Sequence, residues 1–123
     1  MKTRILMLMS VFALAIVFVG SGFSLKREKD YQKAWASAHD GVIEVRLSDA
    51  ARVDIVTDTN AIEVDYAHKW AESIGQALYY SAMTHKRAGI LLIMGPRDEV
   101  FMTRLKTAIA YHKLEIDVWV VEK

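Results

Sequence analysis

Residues 89–94, Gly-Ile-Leu-Leu-Ile-Met, form a continuous apolar run of strand length. A strand without polar alternation must be covered on both faces, so it belongs inside a sheet flanked by helices. The surrounding sequence supplies those layers. Residues 25–39 read as a helix, with Tyr31, Ala34, Trp35 and Ala38 at helical spacing, ended by Asp40-Gly41. Three short alternating runs follow at 42–47, 52–58 and 61–67. In the second, Val53, Ile55 and Thr57 share a side. In the third, Ile62, Val64 and Tyr66 share one side, and Glu63 and Asp65 the other. The connectors are short and polar, which predicts an antiparallel meander. A helix is expected over 68–83. Gly95-Pro96 opens another over 97–112, with Phe101, Leu105, Ala108, Ile109 and His112 on one stripe. Residues 114–121 alternate as a last strand. The predicted order is αβββαβαβ, an α/β (α+β) fold with one mixed sheet.

The N-terminus is set apart from this domain. Lys2 and Arg4 precede an uncharged stretch from Ile5 to Leu25, followed closely by Lys26, Arg27 and Lys29. Residues 1–24 read as a secretory signal, with basic, apolar and small-residue regions in order, or as a membrane anchor through residues 5–23. Localisation is then exported or membrane-anchored, and residues 25–123 form the single domain. The chain of 123 residues has a net charge of +1, so bulk charge does not advertise a nucleic-acid partner. With no cysteine, disulfides, thiolate metal sites and a cysteine nucleophile are excluded.

The chemistry concentrates in residues 44–80. Asp54 interrupts an apolar strand, and Glu63 and Asp65 project from one face of the next. Carboxylates gathered on neighbouring strands repel one another unless a proton or cation intervenes. Hard divalent ions such as Mg²⁺ take such oxygen ligands, with water and substrate phosphate completing the shell. Lys69, Ser73, Gln76 and Tyr80 then line one stripe of the following helix, beside an apolar face of Trp70, Ala71, Ile74, Ala77 and Leu78. Lys69 stands four residues after Asp65, where its ammonium can hold a water or a phosphate oxygen.

On these residues the chain resembles the PD-(D/E)XK nuclease superfamily, the restriction-endonuclease-like fold. The likeness covers roughly residues 26–121 in element order and is sharpest over 44–80. Asp54 in "RVDIV" and Glu63 in "IEVD" match the two metal-binding acids, and Gln76 and Tyr80 in "QALYY" match the Gln-x-x-x-Tyr helix of RecB-type members. Glu44 in "IEVRL" is an accessory acid of the first strand. Asp65 stands where the family has lysine, and Lys69 on the helix takes that role. Val53 stands where the motif name has proline. The resemblance implies an αβββαβ core with an extra C-terminal helix and strand. It further implies phosphodiester hydrolysis on nucleic acid, DNA in preference to RNA. Asp54, Glu63 and Asp65 would hold Mg²⁺ or Mn²⁺, Lys69 and Gln76 would orient water or phosphate, and Tyr80 would support Gln76. Dimerisation is common in that superfamily.

Two other readings stand beside it: a catalytically inactive domain of the same fold that binds a partner, and an exported envelope-associated α/β protein of unrelated role. The four histidines have no metal-ligand spacing, and His85, Lys86 and Arg87 form a small basic turn suited either to phosphate or to a helix dipole.

Overall fold

The computed structural model describes residues 26–123. The signal or anchor expected over 1–24, with its apolar stretch 5–23, lies outside the described residues. Among the described residues no helix is long and apolar enough to cross a membrane.

The order is α1 (Glu28–Ala38), β1 (Val42–Arg46), β2 (Arg52–Val56), β3 (Asn60–Tyr66), a 3₁₀ turn (Ala67–Lys69), α2 (Trp70–Thr84), β4 (Arg87–Met94), α3 (Glu99–His112) and β5 (Ile116–Glu122). The five strands form one mixed sheet in sequential order. β1, β2 and β3 run antiparallel, and β3, β4 and β5 run parallel. The element order is the one expected, with ends shifted by a few residues.

Two layers cover the sheet. α1 lies on one face, where Tyr31 and Ala36 meet Ile62, Val64, Leu91 and Ile93. α2 and α3 lie on the other, where Ala77, Met102 and Leu105 meet Ile90, Leu92 and Met94. β4 therefore has no solvent side. Ile90 and Leu92 fill one layer, Leu91 and Ile93 the other, and all four are fully buried. Burial at that level is worth about 1.5–3 kcal/mol per side chain, which is why this strand tolerates no alternation.

Three helix faces differ from the periodicity. In α1 the inward residues are Tyr31, Gln32 and Ala36, while Ala34 and Ala38 are exposed. Counting apolar residues missed Gln32, whose amide finds partners on β1 and β2 and so can be buried. In α2 the buried residues are Ser73, Ala77 and Tyr80, while Ala71 and Leu78 face solvent. The helix is turned so that half of its polar stripe faces the sheet. In α3, Met102 and Leu105 are buried and His112 is exposed.

Gly89 makes a close approach possible at the start of the central run. A Cβ there would stand 2.7 Å from Trp119 Cζ3 and 2.9 Å from Ile62 Cγ1. Both neighbours pack in the layer under α1. Gly89→Ala is expected to cost about 1–3 kcal/mol through overpacking, measured as a lower urea midpoint with an unchanged m-value.

Candidate active site

The site starts from an irregularity in two strands. Ile43 pairs with Ile55 and Val45 with Val53, but Glu44 and Asp54 between them make no ladder pair. Glu44 has φ 55°, the left-handed region that a non-glycine residue rarely occupies within a strand. Both strands change side at this point. Ile43 and Ile55 pack under α1, whereas Val45 and Val53 pack with Ala61 and Tyr80. The expectation that Val53 and Ile55 share a side is thus corrected. The hairpin curls toward α2, and its tip residue Asp49 accepts a hydrogen bond from Tyr79.

The kink frees Asp54 for other partners. The β2–β3 ladder pairs Ile55 with Ile62 and Val56 with Ala61. At the next step the Asp54 carboxylate replaces backbone, its Oδ2 accepting the Val64 N–H at 2.8 Å. The Asp54 main-chain oxygen accepts from Gln32 Nε2, also at 2.8 Å. Glu44 lies beside this pair, 3.7 Å from Lys29 and 3.6 Å from Arg52, and 3.5 Å from Gln32 Nε2. Its charge contributes to the rise of Asp54.

Glu63, on the adjoining strand, is only 5% exposed. Its carboxyl lies beside that of Asp54, close enough for each to shift the other. Burial first, and then the charge of Asp54, pushes Glu63 up to about 9. Burial also raises Asp54, against the pull of the Val64 N–H. Two neighbouring carboxyls cannot both ionise cheaply, so the charged form of Glu63 is disfavoured. Even so, Oε2 of Glu63 is buried without a hydrogen-bond partner.

Asp65 points to α2. Its Oδ1 accepts the Tyr66 N–H at 3.1 Å and lies 3.9 Å from Lys69 Nζ, and its Oδ2 is 3.5 Å from Ser73 Oγ. Burial raises it, and the Lys69 ammonium opposes that rise. Lys69 is otherwise half-exposed. Tyr80 donates to Gln76 Oε1 at 3.2 Å, and its hydroxyl is pushed upward by burial and by the neighbouring charge of Glu63. Gln76 itself is exposed. Asp54, Glu63 and Tyr80 thus form one cluster, with Asp65 and Lys69 at its flank.

The donors are carboxylates and carbonyls, the chemistry that hard divalent cations take. Asp54 and Glu63 fit such an ion as a pair, because the unpartnered Oε2 and the mutual repulsion are what a cation would relieve. Among the described residues no set of three His, Cys, Asp or Glu side chains is gathered as a metal-ligand group.

Two participants carried no readable signal in the sequence. Gln32 sits beside Lys33 in a polar stretch of α1. Glu28, in the first turn of α1, is raised by burial and by the charges of Asp65 and Asp54. An acid in a first helical turn is ordinary dipole complementation, so nothing marked it. The basic turn is taken up structurally. His85 is the left-handed cap of α2, Lys86 Nζ binds the carbonyls of Thr57 and Asp58, and Arg87 pairs with Asp117 at 2.8 Å. His68 stacks on Tyr66.

No family model matches the chain, and no solved structure matches it. Over 67 residues, 54% of its length, it is 30% identical to a KilA-N domain-containing protein of Acanthamoeba polyphaga mimivirus, of which it spans 27%. The chain is therefore similar, over about half of its own length and about a quarter of that protein's, to a viral protein that carries a KilA-N domain.

Proposed function

We propose that this chain is a divalent-cation-dependent phosphodiesterase acting on nucleic acid, with a restriction-endonuclease-like core of the PD-(D/E)XK type. The observation that carries the reading is the carboxyl pair of half-buried Asp54 and buried Glu63, drawn from adjacent strands, with Oε2 of Glu63 unpartnered. Such an arrangement is costly for a structural role, since an apolar pair of similar size would bury without penalty.

Asp54 and Glu63 would hold Mg²⁺ or Mn²⁺, together with a main-chain carbonyl such as that of Val64. At such carboxylates the ion supplies an acidified water and charge neutralisation on a phosphate oxygen. The chain's own residues do the rest. The Val64 N–H holds the Asp54 carboxylate in place. Lys69 keeps a positive charge at Asp65 on the solvent side of the cluster, where it offsets charge on a phosphate. Tyr80 orients the Gln76 amide, leaving its NH₂ free to donate to substrate oxygen.

Nucleic acid as partner draws support from the viral relative, because KilA-N is a DNA-binding domain type. The same relative favours a second reading, a nucleic-acid-binding domain that does not cleave. One experiment separates them. Single- and double-stranded DNA and RNA are incubated with the protein in Mg²⁺, in Mn²⁺ and in EDTA. Cation-dependent cleavage supports the phosphodiesterase. Retention of nucleic acid in a gel shift, with no cleavage in either metal, supports the binding domain.

A further inference from the structure

We infer that Gln32 is a positioning residue of this site: from α1 it holds the kink in β2 that aims the Asp54 carboxylate at the cation position. The inference rests on the reading of Asp54 and Glu63 as cation ligands, and it adds a residue that touches neither cation nor substrate.

In a regular antiparallel ladder, each N–H and C=O of β2 would bond to β1 or β3. At Asp54 the β1–β2 ladder is interrupted, because Glu44 and Asp54 make no pair between Ile43–Ile55 and Val45–Val53, and the β2–β3 pairing begins only at Ile55. Two part-buried backbone groups then need partners from side chains. The Val64 N–H takes Asp54 Oδ2, and the Asp54 C=O takes Gln32 Nε2, each at 2.8 Å. The second bond comes from another layer of the molecule. Gln32 is 3% exposed and lies on the inner face of α1, so its amide has no solvent alternative. Its Nε2 also faces Glu44 Oε1, the acid at the left-handed position of β1. One amide therefore spans both kinked strands where they change side.

Without that donor, the half-buried Asp54 carbonyl loses its partner. The strand can recover one only by rotating back toward the regular ladder. That rotation carries the Asp54 carboxylate away from the Val64 N–H and from Glu63. Gln32 thus acts through Asp54, as outer groups that orient metal ligands generally do, and loss of such a group typically costs about 10- to 100-fold in metal affinity.

The test uses the full chain and Gln32→Met, which keeps length and removes the donor. Gln32→Glu, of the same shape, serves as the second variant if the first does not fold. Two quantities are read. The first is the dissociation constant for Mn²⁺ alone, from calorimetry. The second is the hydrogen-exchange protection of the Val64 amide against that of Leu91 and Leu92 in the neighbouring strand. The expected result is at least a 10-fold weaker Mn²⁺ constant, with Val64 protection falling while Leu91 and Leu92 keep theirs. Wild-type Mn²⁺ affinity together with wild-type Val64 protection in a folded variant overturns the inference. Equal loss of protection at all three amides also overturns it, since Gln32 would then be a general packing residue. Absence of Mn²⁺ binding by the wild type would sink the cation reading, and the Val64 amide would still decide whether Gln32 holds the kink.

Discussion

Replacing Glu63 with glutamine is expected to make the protein more stable at neutral pH and to remove most of its loss of stability on going from acid to alkaline solution. In the folded chain the Glu63 carboxyl is pushed up to about 9 from an ordinary 4.5, burial being the larger cause and the Asp54 charge the next. Between those values the folded state holds a proton that the unfolded state has released. Stability is therefore greatest at the acid end of this window and declines as pH rises toward 9, by at most about 1.4 kcal/mol per pH unit for one proton. Asp54 is raised as well, so it adds to the decline with the same sign. Glutamine cannot ionise, keeps the shape of the side chain and can donate to Asp54. Urea unfolding at pH 5, 7 and 9 in EDTA checks this. The wild type should lose stability across the series, and Glu63→Gln should lose much less. A wild-type profile as flat as the variant's would mean that Glu63 is not raised in the folded chain. Adding Mn²⁺ should reverse the wild-type trend, because a cation that binds only the folded state stabilises it by mass action and competes with that proton. The variant should gain little from the metal.

The second large effect is on cleavage. Asp54→Asn should abolish cation-dependent hydrolysis of nucleic acid while leaving the fold in place. The amide oxygen can still accept the Val64 N–H, so β2 and β3 stay joined. The lost carboxylate charge weakens the hold on the ion, and metal-supplied charge stabilisation is worth several kcal/mol, about 10³-fold or more in rate. Initial rates on a labelled DNA substrate, with circular dichroism as the control for folding, make the measurement. Undiminished cleavage by Asp54→Asn would place the chemistry elsewhere in the molecule. Lys69→Ala should be milder, because this ammonium is half-exposed and stands 3.9 Å from its carboxylate, an interaction that solvent screens.

The elements were legible for a local reason. The unbroken run at 89–94 requires two covered faces, and β4 has them. Alternation in "AIEVDYA" put Glu63 and Asp65 on one side of β3, and both are buried beside α2 residues, Tyr80 for Glu63 and Ser73 for Asp65. Alternation failed at Asp54. There the side-chain order reverses, because Glu44 adopts a left-handed conformation and the carboxylate takes a ladder position. Helical spacing identified the stripe Lys69, Ser73, Gln76 and Tyr80 but not its direction, and Ser73 and Tyr80 turn inward because hydrogen bonds to Lys69 O and Gln76 accompany their burial.

By itself the sequence determined the succession of helices and strands, the doubly covered central strand and the side of β3 that carries the acids, since each follows from the 3.6- or 2-residue period of neighbouring side chains. The convergence of Asp54 and Glu63 was expected from their neighbouring strands; the tertiary structure alone decided that the Asp54 carboxylate takes the Val64 N–H and that Gln32 is buried against β2. Those contacts join residues remote in the chain, and their energies come from desolvation and from shared hydrogen bonds, which no local period encodes.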